Sequence, residues 1–357
     1  MQSFFDRGYQ EYKEGDFRAA IACYDMAIKF LPDFHEAWFC RGLALDKLGR
    51  YEDAIASFDE AIELLPDFHQ AWNNRGIALW NLGRYEDAIA SYHKAIEFLP
   101  DFHQAWNNRG LVLDNLRRYE DAIASFDKAI EFLPDDHEAW FSRGVALDKL
   151  GRYEDAIASY DKAIEFLPDD HETWSNRGVA LDKLGRYEDA IASFDKAIEF
   201  LPDDHEAWYN RGFTLYKLGR YEDAIASYDK AIEFLPDFHQ AWYNRGLALG
   251  NLGRYEDAIA SFDKAIEFLP DDHETWGNRG VALHKLGRYE EAIANYDKAI
   301  EFLPDDHQAW FNRGVALHNL GRYEDAIASF DKAIEFFPDY HQAWNNRSIA
   351  LRKLGRY

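Results

Sequence analysis

Sulfur is nearly absent from this sequence: there are two cysteines and two methionines among 357 residues. Cys23 and Cys40 fall in no CxxC or metal-like spacing, which excludes a disulfide framework and makes a reduced, cytoplasmic setting the expectation. No apolar run approaches the roughly 18 residues that a spanning helix requires, so no membrane partner is expected. Residues 1–7 lack the basic-then-apolar layout of a secretory signal. Basic residues are outnumbered 40 to 65, a formal charge of -25. That balance argues against nucleic acid as a partner, because phosphate binding needs a basic face. HExxH, GxxxxGK[ST] and GxSxG are all missing. Neither cysteine has a nucleophile's surroundings, and paired acids such as Asp169 and Asp170 read as loop and cap residues. No enzyme activity, cofactor or metal is expected.

What the chain has instead is a repeat. Ten of its eleven tryptophans recur every 34 residues, from Trp38 to Trp344, and all ten prolines share the period, from Pro32 to Pro338. Ten histidines, His35 to His341, do the same. Their place at helix starts, a whole repeat apart, reads as helix-start chemistry rather than a metal array. With the periodic Trp as position 4, the units are 1–34, 35–68, 69–102, 103–136, 137–170, 171–204, 205–238, 239–272, 273–306 and 307–340. Residues 341–357 are the first half of an eleventh unit, read as a C-terminal cap.

Unit 35–68 shows the physics. Trp38, Leu45 and Leu48 lie at helical spacing, as do Ile55, Phe58 and Ile62. Gly49, between the two patterns, suits a left-handed residue ending the first helix. Pro66 stops the second. Asp67 with Gln70 three residues later reads as a capping box opening the next helix. Gly42 and Ala54 are small where two helices would touch, and Phe58 and Ala61 are expected to pack towards the following unit. Each unit is thus two antiparallel helices of roughly 14 residues, stable only when stacked. The chain should hold twenty-one helices.

Trp38, Gly42, Leu45, Ala54, Phe58, Ala61 and Pro66 resemble the signature of the tetratricopeptide repeat family, and the likeness covers essentially the whole chain. The near-identity of the units resembles long bacterial arrays of that family. The resemblance implies an all-α, right-handed α-solenoid superhelix of antiparallel helix hairpins, with first helices lining a concave groove. It also implies a groove built from positions 2, 5, 6, 9, 12 and 13. Three departures stand out. Position 7, usually apolar in the family, is Arg throughout, as in Arg41 and Arg75. Glu11 and Glu14 replace leucines in the first unit, which fits an exposed end. Ser348 replaces the position-8 Gly where no partner helix follows.

Position 6 is Asn in eight units: Asn74, Asn108, Asn176, Asn210, Asn244, Asn278, Asn312 and Asn346. An amide carries both donor and acceptor, so the row can pair with an extended peptide backbone, as family members with such a ladder do. It can equally bond to the neighbouring unit and be copied by duplication. Tyr209, Phe213 and Tyr216, with Tyr243 in the next unit and the off-register Trp80, form an aromatic face suited to partner contact or to packing between first helices. Lys183 and Lys217 add positive charge there. His284 and His318 share position 12 in adjacent units. Acids and bases in the groove nearly cancel, so the net charge lies mainly on second helices and loops.

The function expected is a protein-interaction scaffold holding an extended or helical segment of a protein or peptide partner. Two alternatives stand beside it. One is a structural solenoid that self-associates through its repeat ends. The other is a sensor arm of a larger protein whose effector domain lies beyond these residues.

Overall fold

A computed structural model of the chain describes residues 2–356. Among these residues there are twenty-one helices and no strand. They divide into two compact units, residues 1–184 and 185–357. The first unit holds α1 (Gln2–Lys13), α2 (Phe17–Phe30), α3 (His35–Lys47), α4 (Tyr51–Leu64), α5 (His69–Asn81), α6 (Tyr85–Phe98), α7 (His103–Asn115), α8 (Tyr119–Phe132), α9 (His137–Lys149), α10 (Tyr153–Phe166) and α11 (His171–Lys183). The second holds α12 (Tyr187–Phe200), α13 (His205–Lys217), α14 (Tyr221–Phe234), α15 (His239–Asn251), α16 (Tyr255–Phe268), α17 (His273–Lys285), α18 (Tyr289–Phe302), α19 (His307–Asn319), α20 (Tyr323–Phe336) and α21 (His341–Lys353). No described helix is long and apolar enough to cross a membrane.

Within each unit the architecture is an α-solenoid. Consecutive helices pack pairwise, and successive first helices, such as α3 with α5 or α15 with α17, also touch. No two second helices do so among the described residues. The first helices are therefore the more closely spaced row, and their side of each unit is the concave one.

Within each unit a glycine closes the hairpins. A Cβ on Gly42 would lie 2.5 Å from the Phe58 ring, and one on Gly144 would lie 2.5 Å from that of Tyr160. Phe58 is fully buried. The position-24 ring thus seals its own hairpin, where Phe58 also packs against Phe39 with ring centroids 5.9 Å apart. Ser348 escapes the constraint: it is exposed and its hydroxyl donates to the Trp344 carbonyl at 2.9 Å.

Each periodic tryptophan has a fixed partner. The Trp38 indole N–H donates to the Pro32 carbonyl at 2.9 Å, and Trp72, Trp106 and the others repeat the bond. The indole is a donor only, so the loop carbonyl six residues back satisfies it and ties the two helices at the joint.

The position-7 arginine explains its own departure. Arg41 Nε donates to Asp25 Oδ1 at 2.6 Å in the preceding hairpin, and Nη1 donates to Ser57 Oγ at 2.6 Å in its own. Its guanidinium also lies over the Trp38 ring, 5.8 Å from the centroid. Arg75, Arg143, Arg211, Arg245 and Arg313 repeat the arrangement. Arg109 keeps the bond to Ser125 Oγ at 2.8 Å, but its buried Nε has no acceptor. The reason is His93, which stands where the other hairpins carry Asp.

Two local expectations need correction. Helix α5 is capped by Phe68, not Asp67, and that cap has no side-chain bond. Asp67 instead accepts through its backbone carbonyl, from the His69 N–H at 2.8 Å. Side-chain capping occurs one residue later in the unit, where position 34 is Asp: Asp136 accepts from the Glu138 and Ala139 N–H groups. The left-handed turn at Gly49 is as expected, with φ 71°. Arg117 occupies the same place in its unit at φ 58°, a conformation that costs a non-glycine residue about 1–2 kcal/mol.

Two measurements follow from this packing. In α17, a methyl added at Gly277 would meet open space, whereas a Cβ on Gly280 would lie 2.6 Å from Tyr296 Cε1. Gly277→Ala should stabilise by up to about 1 kcal/mol through helix propensity. Gly280→Ala should destabilise by about 1–2 kcal/mol, because overpacking outweighs that gain. Urea unfolding of the pair checks this, and a Gly280→Ala chain more stable than the parent would refute it. Separately, His93→Asp should raise stability by about 1 kcal/mol by supplying the acceptor that Arg109 lacks. The control is Arg109→Met, on whose background the same change should bring no gain.

Candidate partner-binding groove

The concave side of each unit is built by side chains one turn apart on successive first helices. Residues 35 apart in sequence fall opposite one another, so position 6 of one repeat meets position 5 of the one before. Asn108 Nδ2 donates to Asn73 Oδ1 at 3.1 Å. Asn244 Nδ2 donates to the Tyr209 hydroxyl at 3.0 Å and to the Gln240 carbonyl at 3.1 Å. Asn278 Nδ2 donates to the Tyr243 hydroxyl and to the Glu274 carbonyl, both at 3.0 Å. In these repeats the asparagine bonds to its neighbour, the second of the two arrangements that its chemistry allows.

The remaining asparagines are less committed. Asn74 and Asn176 donate only to the carbonyls of Gln70 and Glu172, at 2.7 and 2.9 Å. Asn312 Oδ1 accepts from Gln308 Nε2 at 3.3 Å. Asn210 is half-buried, and its backbone carbonyl accepts from the Thr214 hydroxyl. Asn346 is also half-buried and lines a hollow with Phe311 and Val315.

A second row joins position 13 to position 12 of the preceding repeat. Lys149 Nζ pairs with Asp114 at 2.6 Å, and Lys183 Nζ with Asp148 at 2.8 Å. Lys183 also lies over the Tyr153 ring. Asn251 Nδ2 donates to the Tyr216 hydroxyl at 3.0 Å. Asn319 Nδ2 lies 2.9 Å from His284 Nε2. The amide nitrogen can only donate, so Nε2 must accept, which requires a neutral imidazole protonated on Nδ1. Lys217 sits over the rings of Phe213 and Tyr187, 4.4 and 5.8 Å from their centroids. This row was missed by sequence reasoning, although its signal was present: the residue types at the two positions are complementary when read 35 apart.

The aromatic face is half-buried rather than free. Tyr209 stacks on Phe213 at 6.3 Å and packs against Phe238 at 5.0 Å. Tyr216 meets Tyr221 edge-on at 5.4 Å. Tyr243 lies 6.1 Å from Phe262, and its hydroxyl is 3.4 Å from Glu274 Oε2. Burial pushes the Tyr209 and Tyr243 phenols above their ordinary range, with the Glu274 charge adding to the shift at Tyr243. Trp80 is half-buried against the core of the first unit. All these side chains support neighbouring helices while edging the concave side.

Comparison with known proteins places this geometry. A family profile described as Tetratricopeptide repeat matches residues 5–67, 41–101, 73–136, 109–171, 175–237, 214–273, 243–307 and 278–341.

The chain belongs to the tetratricopeptide repeat family.

No curated protein matches it in sequence. Among solved structures, the C-terminal part of a tetratricopeptide repeat protein from Cytophaga hutchinsonii is 19% identical, with a TM-score of 0.59, covering 66% of this chain and 97% of its own. A tetratricopeptide repeat protein from Parabacteroides merdae is 19% identical, with a TM-score of 0.51, covering 70% of this chain and 98% of its own. YrrB, described as a TPR protein with an unusual peptide-binding site, is 27% identical, covers 53% of this chain and 97% of its own, and has a TM-score of 0.48. The first two share the fold.

One groove contact of this tetratricopeptide repeat array is open to a pH test. Burial, followed by the adjacent Lys285 charge, holds the His284 imidazole below its usual range. A base whose folded pKa is depressed binds fewer protons folded than unfolded. Its contribution to stability is therefore whole above the ordinary imidazole value of about 6.5 and is lost as pH falls through the folded pKa below it. Protonation would also break the Asn319 bond. Between pH 7.5 and 5, the parent chain should lose more thermal stability than His284→Gln. Equal losses would show that His284 is not the group responsible.

Proposed function

We propose that this chain is a protein-interaction scaffold that holds an extended segment of a partner along the concave row of first helices. The observation that carries the reading is a division of labour within each repeat. Trp, Gly, the position-24 ring and the position-7 Arg are near-constant and buried or bonded in the packing. Positions 5 and 12 change in chemical type from repeat to repeat, position 13 switches between Lys and Asn, and with the recurrent Asn of position 6 they edge the same concave side. Variation that is largest in chemical type on one face of a repeated scaffold is what a recognition surface requires.

The asparagine row can serve such a segment in a restricted way. Asn244 and Asn278 use both amide N–H groups inside the protein, so each offers its carbonyl oxygen, an acceptor for a backbone N–H. Asn74 and Asn176 retain a donor as well. Acceptors spaced one per repeat favour an extended chain whose own side chains set the specificity.

The test is selection of peptides from a displayed random library on the immobilised chain and on a variant carrying Asn74→Ala, Asn176→Ala and Asn312→Ala. These three substitutions break no bond between repeats. Peptides that bind the parent and lose about tenfold or more in affinity for an equally stable variant support the groove, a loss matching one or two hydrogen bonds. No selected peptide, together with a mass that rises with concentration in light scattering, would replace this reading with self-assembly.

A further inference from the structure

The position-12 and position-13 row has a gap. In the first unit, Asp114 and Asp148 hold the ammonium groups of Lys149 and Lys183. Those lysines also lie over the rings of Tyr119 and Tyr153. In the second unit, the residue opposite Lys285 is Gly250. Lys285 has no carboxylate partner and no ring beneath it among the described residues. The side chain that would have neutralised it is absent.

The same glycine leaves a hole. A Cβ on Gly250 would meet nothing within 4 Å. The space is a cavity of about 220 Å³ lined by Leu247, Gly250, Tyr255, Phe262, Val281 and Lys285. Engineered apolar cavities of about 150 Å³ take up benzene, so this one has room for a branched aliphatic or aromatic side chain. It is open to the concave side, and Asn278 also lines it. Asn278 spends its N–H groups on Tyr243 and Glu274, leaving its carbonyl oxygen as an acceptor.

We propose that Gly250 and Lys285 form an anchor site for a partner segment carrying an apolar side chain and an acidic side chain on the same face. The apolar side chain fills the cavity, and the acid takes the place of the missing aspartate on Lys285. This rests on the peptide-groove reading and assigns that groove its anchor. Charge complementarity sets the acid. The open concave side sets an internal segment rather than a chain end, because first helices α13 and α19 continue the row on either side. In an extended segment, residues two apart share a face about 7 Å apart, so the acid and the apolar residue stand at that spacing.

The experiment uses the full chain and a displayed library of extended peptides with blocked C-termini. Selection runs on the parent, on Gly250→Asp and on Lys285→Gln. Gly250→Asp recreates the pairing seen at Asp114 and Asp148 and fills the hole. The parent should enrich peptides with an acid two residues from an aliphatic or aromatic residue. Such peptides should lose about tenfold or more for Gly250→Asp, the loss of a charge-assisted contact together with an apolar anchor. Lys285→Gln should lose the acid preference and keep the apolar one. Thermal unfolding confirms that each variant is folded. Gly250→Asp selecting the same peptides with unchanged affinity overturns the anchor while leaving the groove intact. Peptides that bind only with a free C-terminus overturn the internal segment. No enrichment on any of the three chains overturns the anchor and the groove together.

Discussion

The contact between a first-helix glycine and a second-helix ring governs the rest of the structure. With no Cβ at Gly42, Gly144 or Gly280, the ring of Phe58, Tyr160 or Tyr296 lies directly against the helix backbone. A single methyl there would stand 2.5–2.6 Å from ring carbon, so the hairpin can close to only one spacing. Because the hairpins within a unit close alike, its successive first helices keep one register. That register brings residues 35 apart face to face and creates the paired rows on the concave side. The groove is a consequence of the glycine, and Gly246, a glycine at that position, also lines the hollow beside Gly250.

Between hairpins the decisive group is the position-7 arginine. It meets a carboxylate in the preceding hairpin, a serine hydroxyl in its own and the face of the tryptophan on its own helix. A half-buried guanidinium is costly when unpaired, and here three partners offset the desolvation. The serine is itself fixed, donating to the carbonyl of Asp53 at 2.9 Å. The outer ion pairs are of another kind. Arg50 with Asp53 and Lys94 with Glu97 are pairs three residues apart on the exposed outer side, where solvent screening leaves each of them weak. Most basic side chains are thus spent inside the fold or on its outer helices, and the surplus of acid remains as solvated charge.

How much of this was legible depended on the range of the interaction. The hairpin, its glycine turn and its small contact residues follow from local periodicity, and Trp38, Gly42, Gly49 and Pro66 were enough to read them. The helix cap was misplaced by one residue, because Asp67 and Phe68 both precede the helix and only backbone geometry distinguishes them. Position 34 is Asp in some repeats and Phe or Tyr in the others, so that some caps are bonded and others are not. The arginine was visible as a departure from the family pattern but not as a cause, since its partners lie sixteen residues away on either side. The asparagine row was visible too. Which of its two uses prevails depends on whether position 5 of the preceding repeat offers an acceptor, as Tyr209, Tyr243 and Asn73 do, and that pairing exists only once the helices are stacked.

Where copies are nearly identical, the informative residues are those that break the pattern, and the structure separates two kinds. Arg117 in a left-handed turn and His93 opposite Arg109 disturb the packing itself: one strains the backbone, the other leaves a buried nitrogen without an acceptor. Neither opens a surface, so both read as local losses that the stack tolerates because each repeat touches only its neighbours. Gly250 and Gly277 break the pattern differently. Each removes a groove side chain, neither disturbs a buried contact, and each borders a hollow on the concave side. The two hollows share Asn278 and Val281. Two adjacent omissions bring an ammonium group without a carboxylate and open space together beside α17. On the proposed reading a segment gains most where the protein has not already paired its own groups, and at α15 and α17 that means a glycine that leaves both a hole and a lysine without its carboxylate.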